Sequence, residues 1–253
     1  MSLKKTKFTV QELNQRLNTL SHELKESNME LDTFLYKASH DLKGPISTLD
    51  GLCNIGLLDS RDLPIEQYFH LQKEVIHKMQ LLLFRLVEIG DIRNHTFKAS
   101  HVKLNRFCRS IVRSMNRVEG FEKINFHIDI PEEMQVYTDV EMLEIAVDNI
   151  VKNAIQHANY SNEKNATVGI TARNDGKNLE LLIADNGLGI PPRIRGRIFD
   201  MFFRGNNYLQ GFGLGLYKSK VAAKKIQGEI KLLKSDEQGS TFSLILPQIL
   251  QIT

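Results

Sequence analysis

The sequence predicts two domains in series. The first is an α-helical hairpin that pairs with a second copy into a dimeric four-helix bundle, and the second is an α/β sandwich. Three observations predict this. Residues 11–90 repeat apolar side chains at helical spacing on either side of one turn signal. Beyond residue 100 the pattern changes to short alternating runs interleaved with helical ones. Glycine clusters then follow one of those runs and open one of those helices. The mixed stretch Gly90–Ser100 separates the two patterns, which gives domains at 1–95 and 96–253.

The first helix is read over residues 11–60. Leu13, Leu17, Leu20 and Leu24 form one coiled-coil seam, and Leu31, Leu35, Ala38, Leu42, Leu49 and Leu52 form another. The two frames slip near Ser27-Asn28, as at a stutter, where an upstream signal would alter the supercoil. An ordinary surface helix with an imperfect stripe would show the same slip. Asp59-Ser60-Arg61-Asp62-Leu63-Pro64 is a turn, with Pro64 opening the next helix. That helix runs from Ile65 to Ile89, with Tyr68, Leu71, Val75, Met79, Leu82, Leu86 and Ile89 on one face. A lone hairpin would leave its apolar faces wet, so a homodimer through residues 11–90 is expected.

Composition narrows the class. At 42% hydrophobic and 25% charged residues the chain is globular, and a net charge of +3 is too small to argue for nucleic acid or a membrane surface. Cys53 and Cys108 fit no metal spacing and are expected as buried free thiols. No apolar run is long enough to span a bilayer, and no signal core follows the first residues. A cytoplasmic protein, or a cytoplasmic piece of something larger, is expected.

In the second domain His101 to Leu104 is a short strand, and Phe107, Ile111, Val112 and Met115 mark a helix. Ile124, Phe126, Ile128 and Ile130 alternate as a half-buried strand, followed by another over Met134–Tyr137. Asp139 N-caps a helix running through Ala158. Strands Ala166–Arg173 and Leu179–Ala184 are joined by the hairpin signal Asn174-Asp175-Gly176. A helix covers Tyr217–Ile226, and a last strand covers Ser243–Leu246.

Five segments carry candidate chemistry. Ser39-His40-Asp41-Leu42-Lys43-Gly44-Pro45 sets a histidine away from the seam beside a carboxylate. Such a base can hold one ring nitrogen protonated and leave the other free to attack. Pro45 predicts a kink or loosened turn past His40. The pair also reads as a surface histidine beside an acid. Asn149 and Asn153 share a helix face, and an amide oxygen suits Mg²⁺, while Lys152 can reach a phosphate. Asp185-Asn186-Gly187-Leu188-Gly189 follows a strand directly, so Asp185 can accept an adenine amine at its end; the same residues also read as a glycine-rich turn. Ile198–Arg204 is aromatic and ends in an arginine. Gly211-Phe212-Gly213-Leu214-Gly215 opens a helix whose N–H groups suit an anion. Gly205-Asn206-Asn207 suggest a mobile lid.

In this order the segments resemble the transmitter module of two-component sensor histidine kinases. Ser39–Pro45 matches the family's phosphoacceptor box, Asp148–Ala154 its N box, and Asp185–Ile190 its G1 box. Ile198–Arg204 matches its F box and Gly211–Leu216 its G2 box. The resemblance implies a sandwich of the histidine-kinase, gyrase and chaperone ATPase type. It implies His40 as the phosphorylated residue and Asp41 as its base. Asn153 would bind Mg²⁺, with Asn149 near the phosphates, and Asp185, Gly187 and Gly189 would take adenine. Gly211, Gly213 and Gly215 would cradle phosphates, and Thr241 would lie near the adenine end. Lys152, His157 and Arg204 are further phosphate candidates. ATP and Mg²⁺ are the implied cofactors, and a response regulator receiver domain is the implied partner.

Three departures from the family pattern carry expectations. Gly44 stands where many relatives carry a polar residue used in dephosphorylation, so little phosphatase activity is expected. Lys218-Ser219 stand at usually apolar positions, so that helix is expected to pack unusually. Gln227-Gly228 replaces a common Gly-Gly, with little consequence expected. Two other readings remain in play: a non-catalytic nucleotide-binding scaffold, and another ATPase of the gyrase or chaperone type.

Overall fold

The structure, a computed structural model, describes residues 13–22, 25, 38, 42–56, 65–158, 166–205 and 212–247. The chain divides into two compact units, Met1–Leu82 and Leu83–Thr253. Leu24, Leu31, Leu35, the slip at Ser27-Asn28, His40, Asp41, the turn at 59–64 and Gly211 lie outside the described residues.

In the first unit residues 13–22 are helical, with Leu13, Leu17 and Leu20 exposed along the seam. Residues 42–56 (α1) are helical through Pro45, and the Thr48 hydroxyl donates to the Gly44 carbonyl at 3.1 Å. Cys53 is exposed rather than buried and accepts from Gln72 Nε2 at 3.3 Å.

The next helix, α2, spans Ile65–Asn94. It passes the expected end at Ile89 and takes in the first residues of the expected linker. Gly90 in a helix costs about 1 kcal/mol relative to alanine. Burying Ile92, which is 3% exposed, returns roughly 1.5–3 kcal/mol. Ile89 lies one turn before Ile92 and is also buried. Arg93 in the last turn suits the negative end of the dipole. Burial therefore outweighs the glycine.

The second unit continues with β1 Ala99–Lys103, α3 Leu104–Ser114, β2 Ile124–Asp129, β3 Gln135–Asp139 and α4 Val140–Gln156. It then runs β4 Ala166–Asn174, β5 Asn178–Asp185, α5 Gly215–Lys225, β6 Glu229–Asp236 and β7 Gly239–Pro247. The main sheet has order β2-β4-β5-β7-β6, and β1 pairs with β3 separately. Only the β2–β4 pair is parallel within that sheet. One hydrophobic core unites the sheet with all three helices of this layer. It holds Leu104, Cys108 and Ile111 of α3, Leu143, Val147 and Ile150 of α4, Ala222 and Ala223 of α5, and Ile226 that caps α5. Ile170, Leu181, Ile183 and Leu244 of the sheet pack with them. The α/β sandwich is as the sequence predicts. Cys108 is buried, and that burial pushes its thiol up to about 12.

Strand β6 has no counterpart in the sequence reading. It is an edge strand, so its lysines Lys231 and Lys234 face water. A register irregularity between Leu232 and Lys234 breaks its alternation and leaves Leu233 exposed. The Asn174–Gly176 turn is a hairpin as expected: Asp175 Oδ1 accepts from the amides of Lys177 and Asn178, and Gly176 has φ +87°.

Candidate functional site

The site gathers at the end of β5, along α4 and at the start of α5. Asp185 ends β5 in register with Ser240 of β7. Its Oδ1 accepts from the amides of Gly187 at 2.9 Å and Ser240 at 3.2 Å. Its Oδ2 has no hydrogen bond among the described residues, so a fixed carboxylate keeps one acceptor oxygen in reserve. Burial raises the Asp185 pKa; the two amides and the nearby His157 only partly offset it.

The loop after Asp185 is tied down on every side. Asn186 Oδ1 accepts from Thr167 N at 2.8 Å, and Leu188 N donates to the His157 carbonyl at 3.1 Å. Ile190 N donates to Ser235 Oγ at 2.7 Å, and Ser235 Oγ lies 2.9 Å from Ser240 Oγ. Gly189 has φ +67°, and a Cβ there would overlap the Asp236 carbonyl oxygen. A Cβ on Gly187 would come 2.5 Å from the His157 carbonyl oxygen. At both glycines the close neighbour in the structure is the chain's own backbone. Ser235, Ser240 and the positioning role of Asn186 were not found from sequence. Ser240 lies beside Thr241 and could have been suspected; Ser235 sits on the unread strand.

Helix α4 begins at its predicted cap. Asp139 Oδ1 accepts from Glu141 N at 3.1 Å and Met142 N at 3.2 Å. Its Oδ2 accepts from Lys98 N at 2.6 Å and lies 2.7 Å from His95 Nε2. Burial raises the Asp139 pKa, but the Lys98, His95 and Met142 bonds outweigh it and hold the carboxyl below its ordinary range. One turn apart on the same helix stand Asn149 and Asn153, both half-buried. Asn149 Nδ2 donates to the Ile145 carbonyl at 3.0 Å, which leaves its Oδ1 as an acceptor. The Asn153 side chain has no hydrogen bond among the described residues. Lys152 between them is half-buried.

Helix α5 opens at Gly215 with no side-chain cap, so its first amides point out unsatisfied by the helix. A Cβ on Gly215 would lie 3.3 Å from Asn149 Oδ1 and crowd the gap between the two helices. Upstream, Gly213 has φ +66°, and a Cβ there would lie 2.5 Å from the Phe203 carbonyl oxygen. Phe202 itself has φ +60°. The two ends of the 204–212 segment therefore meet. Arg197 stacks over the Phe203 ring at 4.8 Å, and Arg204 is exposed. Thr241 pairs with Ala184, one position along from Asp185. Burial lowers the His157 pKa, with Asp185 opposing, so the ring is neutral at neutral pH and brings no positive charge.

A nucleotide with Mg²⁺ fits these residues. Asn149 Oδ1 stands beside the uncapped start of α5, and Asn153 follows one turn further along α4. Among the described residues, no cluster of His, Cys, Asp and Glu could hold a metal. This donor set matches a cation that takes most of its ligands from phosphate and water.

Residues 138–249 match the family described as histidine kinase-, DNA gyrase B- and HSP90-like ATPase. Over 226 residues the chain is 27% identical to the sensor-like histidine kinase SenX3 of Mycobacterium tuberculosis, covering 86% of this chain and 54% of that protein. The chain is thus similar to a sensor histidine kinase over most of its length, and its residues 138–249 match the ATPase family. It is also 29% identical over 224 residues to the sensor protein KdpD of Escherichia coli, covering 86% of this chain and 24% of that protein. The chain thus spans about half the length of SenX3 and a quarter of KdpD. The solved structure of histidine kinase ThkA in complex with response regulator protein TrrA shares its fold. That match has a TM-score of 0.64 at 19% identity, over 89% of this chain and 64% of that one. Among the described residues no helix is long and apolar enough to cross a membrane.

Proposed function

We propose that this chain is the transmitter of a two-component system, an ATP-dependent protein-histidine kinase. It phosphorylates itself on His40 and then passes the phosphoryl group to an aspartate on the receiver domain of a response regulator. The observation that carries this reading is Asp185: a half-buried carboxylate at a strand end with one oxygen anchored by two amides and the other open, in a site that also holds an uncapped helix start. Its open oxygen accepts the adenine amine. The amides at Gly213 and Gly215, with Gly211, receive the phosphates, and Asn149 and Asn153 supply oxygens to Mg²⁺. Gly187 and Gly189 shape the adenine end, with Thr241 beside it. Lys152 and Arg204 bring charge to the phosphates, and the neutral His157 brings at most a hydrogen bond.

A ring nitrogen of His40 attacks the γ-phosphorus, a new N–P bond forms, and the bond to the β–γ bridging oxygen breaks to release ADP. Asp41 holds the proton on the other ring nitrogen; Mg²⁺ held by Asn149 and Asn153 would supply charge neutralisation for the phosphate oxygens. The kinase is expected to work as a homodimer with domains 1–95 and 96–253. Phe69, Ile76, Leu83 and Val87 support this, because they leave a nearly heptad-spaced apolar stripe exposed along α2. Both ATP and a response regulator place this activity in the cytoplasm.

The test is incubation with γ-labelled ATP and Mg²⁺, followed by a receiver-domain protein. Acid-labile, alkali-stable label on the chain that then moves to the receiver is expected. Steady ATP hydrolysis with no phosphoprotein would instead make this an ATPase of the gyrase type, and tight binding without turnover a scaffold.

A further inference from the structure

Lys218 stands out in α5. It lies in the first turn, three residues after Gly215, and is only 8% exposed. A cation at that end of a helix opposes the dipole, and a buried one must be paired. It is paired: Lys218 Nζ lies 3.2 Å from Glu88 Oε2, on the late part of α2. The same Glu88 oxygen lies 3.0 Å from Arg85 Nη1. Asp148 of α4 is the other acid near Lys218, and Lys152 is the other cation near Asp148. The preceding residue, Tyr217, is buried and accepts a 2.7 Å hydrogen bond from Arg93 Nη2 in the last turn of α2. Ile89 and Ile92 are buried between these polar links.

We propose that Lys218 and Glu88 are positioning residues. Their ion pair, with Arg93 on Tyr217, makes docking of the α2 end and docking of nucleotide phosphates at the start of α5 one coupled equilibrium. This rests on the reading of Gly213 and Gly215 as phosphate-facing. Both events use the same helical turn: its amides meet the phosphates and its side chains hold α2. Anchoring by α2 orders the turn before nucleotide arrives, so the docked state binds nucleotide more tightly. Coupling is reciprocal, so bound nucleotide must slow opening of the α2 end by the same factor.

The experiment uses the full chain with Mg²⁺ and a non-hydrolysable ATP analogue. Binding is followed by calorimetry, and amide hydrogen exchange is followed across residues 84–94. The proteins are wild type, Lys218→Met, Glu88→Gln, the double variant and Lys218→Arg. Each single loss of charge is expected to weaken binding about fivefold or more. The double variant should be no worse than the weaker single, and Lys218→Arg should recover most of the affinity. Analogue should slow exchange in wild type and leave it unchanged in Lys218→Met.

Additive losses, unchanged affinity, or wild-type exchange indifferent to analogue would each overturn the proposal. The wild-type exchange measurement decides even where a variant fails to fold, and a purely structural role for Lys218 would not make exchange respond to nucleotide. Wild type that binds analogue and shows coupling but gives no phosphohistidine would sink the kinase reading alone. Wild type that labels His40 without coupling would sink this proposal alone. Wild type that binds no analogue removes both.

Discussion

Asp185 and Asp139 are both held by backbone amides, yet their protonation works in opposite directions. At Asp185 burial dominates and raises the pKa, so the folded state favours the protonated form. Stability linked to it is present below the ordinary carboxylate range and is lost as pH rises through the raised folded value. Asp185→Asn keeps an acceptor for Gly187 and Ser240 and removes a half-buried charge. Near pH 7 it is expected to melt no lower than wild type, and that advantage should shrink on acidification. Its amide NH₂ would oppose the adenine amine, so nucleotide affinity should fall on the order of tenfold or more, measured by calorimetry. At Asp139 the hydrogen bonds win and lower the pKa. Its stability contribution is present above the ordinary range and is lost as pH falls through the lowered value. Gly189→Ala should destabilise by about 2 kcal/mol or more in denaturant unfolding, since it combines a left-handed φ with overlap on Asp236.

At the scale of elements, helix α4 was the most legible part of the chain. Its cap, its buried stripe and the spacing of Asn149 and Asn153 all follow from local sequence. Asp139→Ala should cost about 0.5–2 kcal/mol for the cap. A further loss should come from the stranded Lys98 amide and His95, and thermal unfolding would show both. Strand β6 was illegible because edge position and a bulge remove the alternation that marks a strand. The end of α2 was misread because Gly90 looks like a stop signal. Only tertiary burial of Ile92, contributed by residues far along the chain, shows why the helix continues. The glycines were recognised as special, but their immediate neighbours were not. At Gly187, Gly189 and Gly213 the close contact is backbone from distant segments, which no local pattern encodes. Ser235 and Ser240 support the site through pairings that exist only once β6 and β7 are aligned.

At the scale of the molecule, the exposed apolar stripe on α2 calls for a partner surface. Phe69→Glu with Ile76→Glu is expected to convert a dimer into a monomer in sedimentation velocity. The separate fold of the ATPase domain should survive, and its nucleotide affinity should be little changed. A dimer unaffected by both charges would move the interface elsewhere. The order of the chemical segments along the chain was legible from sequence, because each carries its own residue types. The most direct measurement is γ-phosphate labelling of wild type, His40→Gln and Asp185→Asn, each paired with a nucleotide-binding assay. The kinase account predicts that wild type binds and is labelled, His40→Gln binds without label, and Asp185→Asn loses both. Label that persists on His40→Gln, or on Asp185→Asn at the wild-type level, would contradict it.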